Sequence, residues 1–410
     1  MQIRIIGPFA QIMTMAALPL KGSLKDEQLQ ILKHGAVAVQ GAKVVAVASF
    51  DHLRRLYPAA TIEHVTAAST LIPGFIDCHT HICYAGNRAK DYAMRTAGKS
   101  YLEIAQAGGG IWETVQHCRL ATEQELTEGV VQRATQSLTN GTTTIEVKSG
   151  YGLNTKSELK MLRAIKEANR HIQADLVSTC LAAHTLPRDF KGSSEDYLNQ
   201  LVVQLLPMIE KEKLCKRFDI FIEQSAFNPV EARDFLKKVQ LRGFEITIHA
   251  DQFTPGGSQV AVMLGAQSAD HLEHSSEKDI RLIAQSDTIA VCLPGASLGL
   301  GIPFSPARKL LDAGAALAIA SDWNPGSAPM GQLLTQAAIL GAFEKLSLAE
   351  TISALTYRAA HALNLSDRGK IANGQLADMQ AYPTSDYREI LYYQGSMKPS
   401  TVWKNGKSIS

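Results

Sequence analysis

No stretch of this sequence stays apolar long enough to cross a membrane as a helix, which sets membrane-spanning functions aside. The N-terminus, M-Q-I-R-I-I-G-P, lacks the charged segment, long apolar run and small-residue cleavage site of a secretory leader, so a cytoplasmic protein with no membrane partner is expected. An excess of one charge is missing too. The 41 Lys and Arg stand against 39 Asp and Glu, mixed along the chain, leaving +2 and no basic stripe of the kind that grips nucleic acid. The six cysteines, Cys78, Cys83, Cys118, Cys180, Cys215 and Cys292, show no C-x-x-C spacing and lie in apolar stretches. Packed, reduced thiols are expected rather than a disulfide framework.

What is present is enough apolar material for a large core: 45% of 410 residues are hydrophobic and 20% charged. From Met1 to about residue 68 the pattern is short and β-rich, with two strands predicted around a Gln40-Gly41 turn. Beyond Pro73 apolar runs alternate with helical patterns. Thr122 with Glu125, Asn228 with Pro229 and Glu231, Ser305-Pro306, and Ser347 with Glu350 mark helix starts. The runs between them, Ile72–His81, Thr142–Val147, Leu176–Ala183, Phe218–Ile222, Glu245–His249, Ser268–His271, Thr288–Leu293 and Leu317–Ser321, number eight. Eight buried strands with helices between them predict an α/β fold, a closed (β/α)8 TIM barrel. After Asp367 the texture returns to β. The expected organisation is a barrel over residues 69–368, inserted into a small β-sandwich domain built from residues 1–68 and 369–410.

In such a barrel the working residues sit where strands finish. Strand one ends at His79 and His81, strand three at His184, strand five at His249, strand six at His271 and strand eight at Asp322. Alternation along a strand puts His79 and His81 on one side with Thr80 opposite. Each of these residues, taken singly, is equally readable as a hydrogen-bonded core histidine or an Asx turn. Their joint placement at strand ends points instead to one divalent metal held by His79, His81, His249 and Asp322, a donor set that suits zinc or iron. Such an ion brings the pKa of a water toward neutrality. Asp322 would then take the water proton and pass it to a leaving nitrogen, while His271 and His184 polarise or orient the group under attack. The other histidines fall in helical, loop or non-barrel stretches and are read as structural. Lys148, in E-V-K-S-G-Y-G, raises the alternative of a carboxylated lysine bridging two metals, but it stands at the end of strand two, and one ion is the reading adopted.

The blocks P-G-F-I-D-C-H-T-H, A-G-N-R-A-K-D-Y-A-M-R, A-G-G-G-I-W-E-T-V, E-V-K-S-G-Y-G-L, A-A-H-T-L-P, I-H-A-D-Q, S-A-D-H-L-E, L-P-G-A and S-D-W-N-P-G-S follow one another from about residue 71 to 374. In that order they resemble the amidohydrolase superfamily and, within it, the imidazolonepropionase family. The resemblance implies hydrolytic opening of the ring of 4-imidazolone-5-propanoate to N-formimidoyl-L-glutamate, with one divalent metal per chain, Zn2+ or Fe2+/Fe3+. It implies the same four metal ligands, substrate contacts from Arg88, Tyr151, His184 and Gln252, and contacts to substrate or product from Asn324, Gly326 and Ser327. A two-pronged bond from Arg88 to the propionate, with the Tyr151 hydroxyl nearby, is the physical sense of that assignment. Without the block match, Arg88 reads as a surface charge and Tyr151 as a turn aromatic. The sequence gives no oligomeric state, and the resemblance leaves a homodimer open.

Two departures stand out. Some family members carry glutamate after H-A-D, where this chain has Gln252, which hydrogen-bonds but carries no proton as a base. After L-P-G-A the family usually shows aromatic residues, and here Ser297-Leu298-Gly299-Leu300-Gly301 follows. The alternatives are another cyclic amidohydrolase, a ring deaminase acting on an anionic heterocycle, or a metal-binding barrel without catalysis. A deaminase would want an acid near position 252, and Arg88 favours an anionic substrate over a neutral base.

Overall fold

A parallel strand covered on both faces is buried along nearly its whole length, and the eight runs are, with polar groups such as Glu146, Lys148, Asp219 and Asp270 enclosed beside the apolar ones. In the computed structural model, which describes residues 2–65, 68–99, 103–104 and 107–409, they form one parallel sheet. The strands are Phe75–Asp77, Thr142–Lys148, Asp175–Ala183, Arg217–Phe221, Glu245–Ala250, Ser268–His271, Ile289–Cys292 and Leu317–Ile319, each paired with the next in sequence. The first and last meet through a parallel bridge between Thr80 and Trp323. There His81 N–H donates to the Trp323 carbonyl at 2.9 Å and Asp322 N–H to the His79 carbonyl at 3.0 Å. These contacts close the barrel at the end where the histidines lie.

The second sheet is shared by both termini. Ile3–Met13 pairs antiparallel with Ile31–Gln40 and parallel with Thr61–His64 and Thr70–Pro73, and Ile31–Gln40 continues into Lys43–Ser49 around Gly41. From the other end of the chain Met379–Tyr382 joins Thr70–Pro73, followed by Thr401–Lys404 and Lys407–Ile409. The sequence predicts one strand over Ile72–His81, and here the structure differs. Thr70–Pro73 belongs to the terminal sheet and Phe75–Asp77 to the barrel. Gly74 makes the transfer: a Cβ there would lie 2.5 Å from Thr143 Oγ1, and its N–H donates to the Asp378 carbonyl at 2.9 Å. Only glycine fits so close to the neighbouring strand.

The capping signals placed the barrel helices correctly in three cases. Thr122 caps Glu123–Thr139, Asn228 caps Pro229–Leu241 and Ser347 caps Leu348–Leu355, each with its acidic partner at the third helical position. Each cap is worth about 1 kcal/mol. Ser305 does not cap Ala307–Asp312; its hydroxyl donates instead to the His271 carbonyl, tying that helix start to the end of strand six. All six cysteines are free, five of them buried and Cys215 half-buried. No described helix is long and apolar enough to cross a membrane.

Candidate active site

The strands deliver their terminal side chains to one point. His79 and His81, two apart on an extended segment, present Nε2 atoms 3.3 Å from each other, and His249 Nε2 lies 3.3 Å from His81 Nε2. Asp322 Oδ1 is 3.3 Å from His81 Nε2 and 3.6 Å from His79 Nε2. All four residues are at most 3% exposed. His79, His81 and Asp322 thus offer one set of three donors close enough to share an ion, and His79, His249 and His271 a second, with His79 common to both. The residues fit a divalent metal. His271 lies beside this group, its ring centroid 5.3 Å from that of His249 and 5.8 Å from that of His79.

Two of the three imidazoles are backed by a carboxylate, while His81 Nδ1 is buried with no partner among the described residues. His79 Nδ1 is 2.6 Å from Asp270 Oδ2, and His249 Nδ1 is 2.9 Å from Asp219 Oδ2. A proton on Nδ1 facing a carboxylate leaves the Nε2 lone pair free to coordinate. Burial, then the Lys148 ammonium, holds His79 well below the usual imidazole value and His81 down to about 3; burial takes His249 to about 4 despite Asp219. Neutral imidazole is the form a metal needs. Burial pushes Asp270 up to about 7 and raises Asp322 against the pull of the surrounding histidines. His271 goes the other way: burial alone would lower it, but the Glu273 carboxylate, 3.5 Å from its Nδ1, raises it.

Lys148 is not a bridging ligand. Its ammonium is fully buried between Glu146 Oε1 and Asp219 Oδ2, each at 2.8 Å, inside the barrel. Burial would lower its pKa, but those two carboxylates outweigh it and hold the amine charged, the form that does not carboxylate.

The remaining sequence-derived residues surround this centre. His184 Nδ1 donates to the Gly150 carbonyl at 3.0 Å, which leaves Nε2 as an acceptor, and its ring stacks on His81 at 5.4 Å between centroids. Tyr151 is buried with its ring 5.9 Å from that of His81 and 5.5 Å from that of His184. Gln252 is 8% exposed, just past strand five, and its carbonyl accepts from His274 Nδ1 at 2.7 Å. Asn324 serves its own loop: Nδ2 donates to Asp322 Oδ2 at 3.0 Å and Oδ1 accepts from the N–H groups of Gly326 at 2.7 Å and Ser327 at 2.8 Å. Gly326 makes room for Arg88, since a Cβ there would lie 2.3 Å from Arg88 Nη1. The loop after strand eight thus connects the Asp322 carboxylate to the Arg88 guanidinium.

Sequence reasoning missed the residues behind the histidines. Asp219, in F-D-I-F-I, left a signal as the one charged residue of the predicted run Phe218–Ile222. Asp270 gives no signal of its own, because a residue adjacent to His271 on a strand is expected to point to the opposite side. The structure breaks that alternation. His271 and Leu272 have φ of 87° and 70°, and Asp322 has φ of 49°, left-handed conformations uncommon outside glycine. Such backbone turns at strand ends re-aim side chains into one site.

The sequence profile of the amidohydrolase family matches residues 70–409, and that of a bacterial imidazolonepropionase-like composite domain matches residues 35–60. An imidazolonepropionase of Bdellovibrio bacteriovorus is 40% identical over 94% of this chain and 91% of its own length. The chain belongs to the imidazolonepropionase family of amidohydrolases. Another imidazolonepropionase, from Symbiobacterium thermophilum, is 38% identical over 99% of this chain and 96% of its own. Among solved structures an adenosine deaminase from Xanthomonas campestris, with bound zinc, superposes with a TM-score of 0.70 at 18% identity, over 99% of this chain and 92% of that one. That likeness concerns the amidohydrolase fold alone.

Proposed function

We propose that this chain hydrolyses the ring amide of 4-imidazolone-5-propanoate to give N-formimidoyl-L-glutamate. The observation that carries the reading is identity of 38–40% over nearly the whole chain to relatives named imidazolonepropionase. The approach of His79, His81 and His249 Nε2 atoms and the Asp322 carboxylate to one another at the strand ends supplies chemistry that supports it.

His79, His81, His249 and Asp322 would hold one ion. When bound, a divalent metal supplies a Lewis acid that brings the pKa of water toward neutrality. Asp322, whose affinity for protons is raised by burial, takes a proton from the attacking water. The water oxygen bonds to the ring carbonyl carbon, the carbon–nitrogen bond breaks, and the proton goes to the departing nitrogen. His271, its proton secured by Glu273, hydrogen-bonds the carbonyl oxygen as negative charge builds there. His184 offers Nε2 to a ring N–H, and Gln252 serves the ring as donor and acceptor without proton transfer. Arg88 holds the propionate through two parallel N–H bonds, helped by Tyr151 and by Ser327 beside Gly326. Residues 69–368 would form the catalytic barrel except for Thr70–Pro73, which joins the sheet of the flanking domain formed by 1–68 and 369–410. A cytoplasmic homodimer belongs to the same reading.

The test is substrate depletion paired with elemental analysis, which also decides between zinc and iron. Protein with one metal per chain is expected to consume the substrate, and His249→Ala to lose both metal and turnover. Full activity in metal-free protein, or none in metal-replete protein, would overturn the proposal.

A further inference from the structure

The segments A-G-N-R-A-K-D-Y-A-M-R and A-G-G-G-I-W-E-T-V take no part in the chemistry above beyond Arg88, yet the structure joins them at one carboxylate. Asp91, on the first turn of helix Ala89–Thr96, is 1% exposed. Its Oδ2 accepts from Arg88 Nε at 2.7 Å and from the Gly110 N–H at 2.8 Å. Its Oδ1 is buried with no partner among the described residues and presses on Gly109, where a Cβ would lie 2.1 Å away. Gly110, with φ of 83°, turns its N–H toward Asp91 and starts helix Ile111–Leu120.

A guanidinium offers two edges to a carboxylate: Nε with one terminal nitrogen, or the two terminal nitrogens together. Asp91 occupies the Nε position. The end of the group, meanwhile, lies over Gly326, with Nη1 2.3 Å from where a side chain would begin. Arg88 is therefore clamped from below and confined from above, leaving the paired terminal nitrogens for a ligand.

We infer that Asp91 is a positioning residue for substrate recognition: by taking the Nε edge of Arg88 and anchoring it to the Gly109-Gly110 turn, it presents the terminal edge to the substrate carboxylate at a fixed distance from the reacting ring. This rests on the role proposed above for Arg88. Asp91 acts by geometry and not by charge. Its negative charge beside Arg88 would on its own weaken anion binding, so removing the charge and removing the acceptor have opposite consequences.

The test uses two chemically inert probes, imidazole-4-propionate and its carboxamide, titrated calorimetrically into the metal-replete enzyme. Wild type is expected to prefer the carboxylate by tenfold or more. Asp91→Ala, lacking the acceptor, drops that preference below threefold while binding the carboxamide within threefold of wild type. Asp91→Asn keeps a carbonyl oxygen that can accept from both Nε and Gly110, and retains the preference. Arg88→Lys, whose single ammonium is drawn to Asp91, loses the preference although its charge remains. An Asp91→Ala protein that still prefers the carboxylate tenfold, or an Arg88→Lys protein that does, overturns the inference. Wild type without a preference would sink the role of Arg88 itself, a separate outcome.

Discussion

Replacing Gly326 by alanine tests the substrate pocket with one added carbon. Gly326 is not in the left-handed backbone region, so alanine is tolerated there without conformational strain. Its Cβ would instead meet Arg88 Nη1 at 2.3 Å, Cζ at 3.0 Å and Asn324 Oδ1 at 3.2 Å. Ordinary contact needs about 3.4 Å or more, so the guanidinium end must retreat by about 1 Å. The loop cannot yield in its place, because the Gly326 N–H is held by Asn324 Oδ1 at 2.7 Å. Nor is the arginine free to swing, because Nε is held by Asp91. A 1 Å displacement breaks at least one of the two bonds proposed to the propionate. A hydrogen bond between charged groups contributes about 1.5–3 kcal/mol, so KM is expected to rise by roughly ten- to a hundredfold. None of the proposed ion ligands is among the atoms nearest the added carbon, and kcat and metal content should stay within about threefold of wild type. Steady-state kinetics with metal analysis reads both. A KM within twofold of wild type would refute the picture of a confined Arg88, and an equal fall in kcat with KM unchanged would place Gly326 in the chemistry instead.

Asp219→Asn should weaken metal binding by about ten- to a hundredfold, since the residue fixing the His249 tautomer also pairs with Lys148; competition with a chelator measures it, and unchanged affinity would remove its orienting role. Glu273→Gln should lower the pKa of His271, because the Glu273 carboxylate is what raises it. If protonated His271 is the active form, activity that is lost as pH rises should then be lost at a lower pH. A pH profile of kcat that does not move would show that His271 is not the titrating donor.

The barrel was legible because short runs with apolar residues recur between helical patterns, and because caps such as Thr122 with Glu125 mark helix starts by simple hydrogen-bond chemistry. The pair His79 and His81 was legible for the same reason of period: residues two apart on an extended segment share a side. What the sequence hid depends on departures from regular backbone. The positive φ at His271 lets Asp270 and His271 both serve the site, against alternation. The division of the first run at Gly74 follows from the close approach of Thr143, a residue far along the chain. The organising roles of Asn324 and Asp91 arise only when the loop after strand eight is laid over helix Ala89–Thr96, and no local pattern announces that meeting.

The site lies on the seam of the barrel, and this links metal binding to the integrity of the fold. His79 and His81 come from the first strand and Asp322 from the last, and the same segments exchange the backbone bonds that close the ring. Beneath them Asp77 accepts from both the N–H and the hydroxyl of Ser321, 244 positions away. Bringing such distant segments together carries a larger loop-closure cost than the other strand pairs bear, whose connections are all shorter. The first strand contributes only three residues, Phe75–Asp77, and the last only three, Leu317–Ile319, so the seam has few ladder bonds of its own. An ion coordinated from both sides would stabilise the closed form according to its affinity and concentration. Chelation should therefore raise hydrogen exchange first at the amides of His81, Ser321 and Asp322, and much later at Ile248 in the middle of strand five. Exchange that rises equally at Ile248 and at the seam would mean that the barrel opens as a whole, and exchange unchanged at both would mean that the ion acts on chemistry alone.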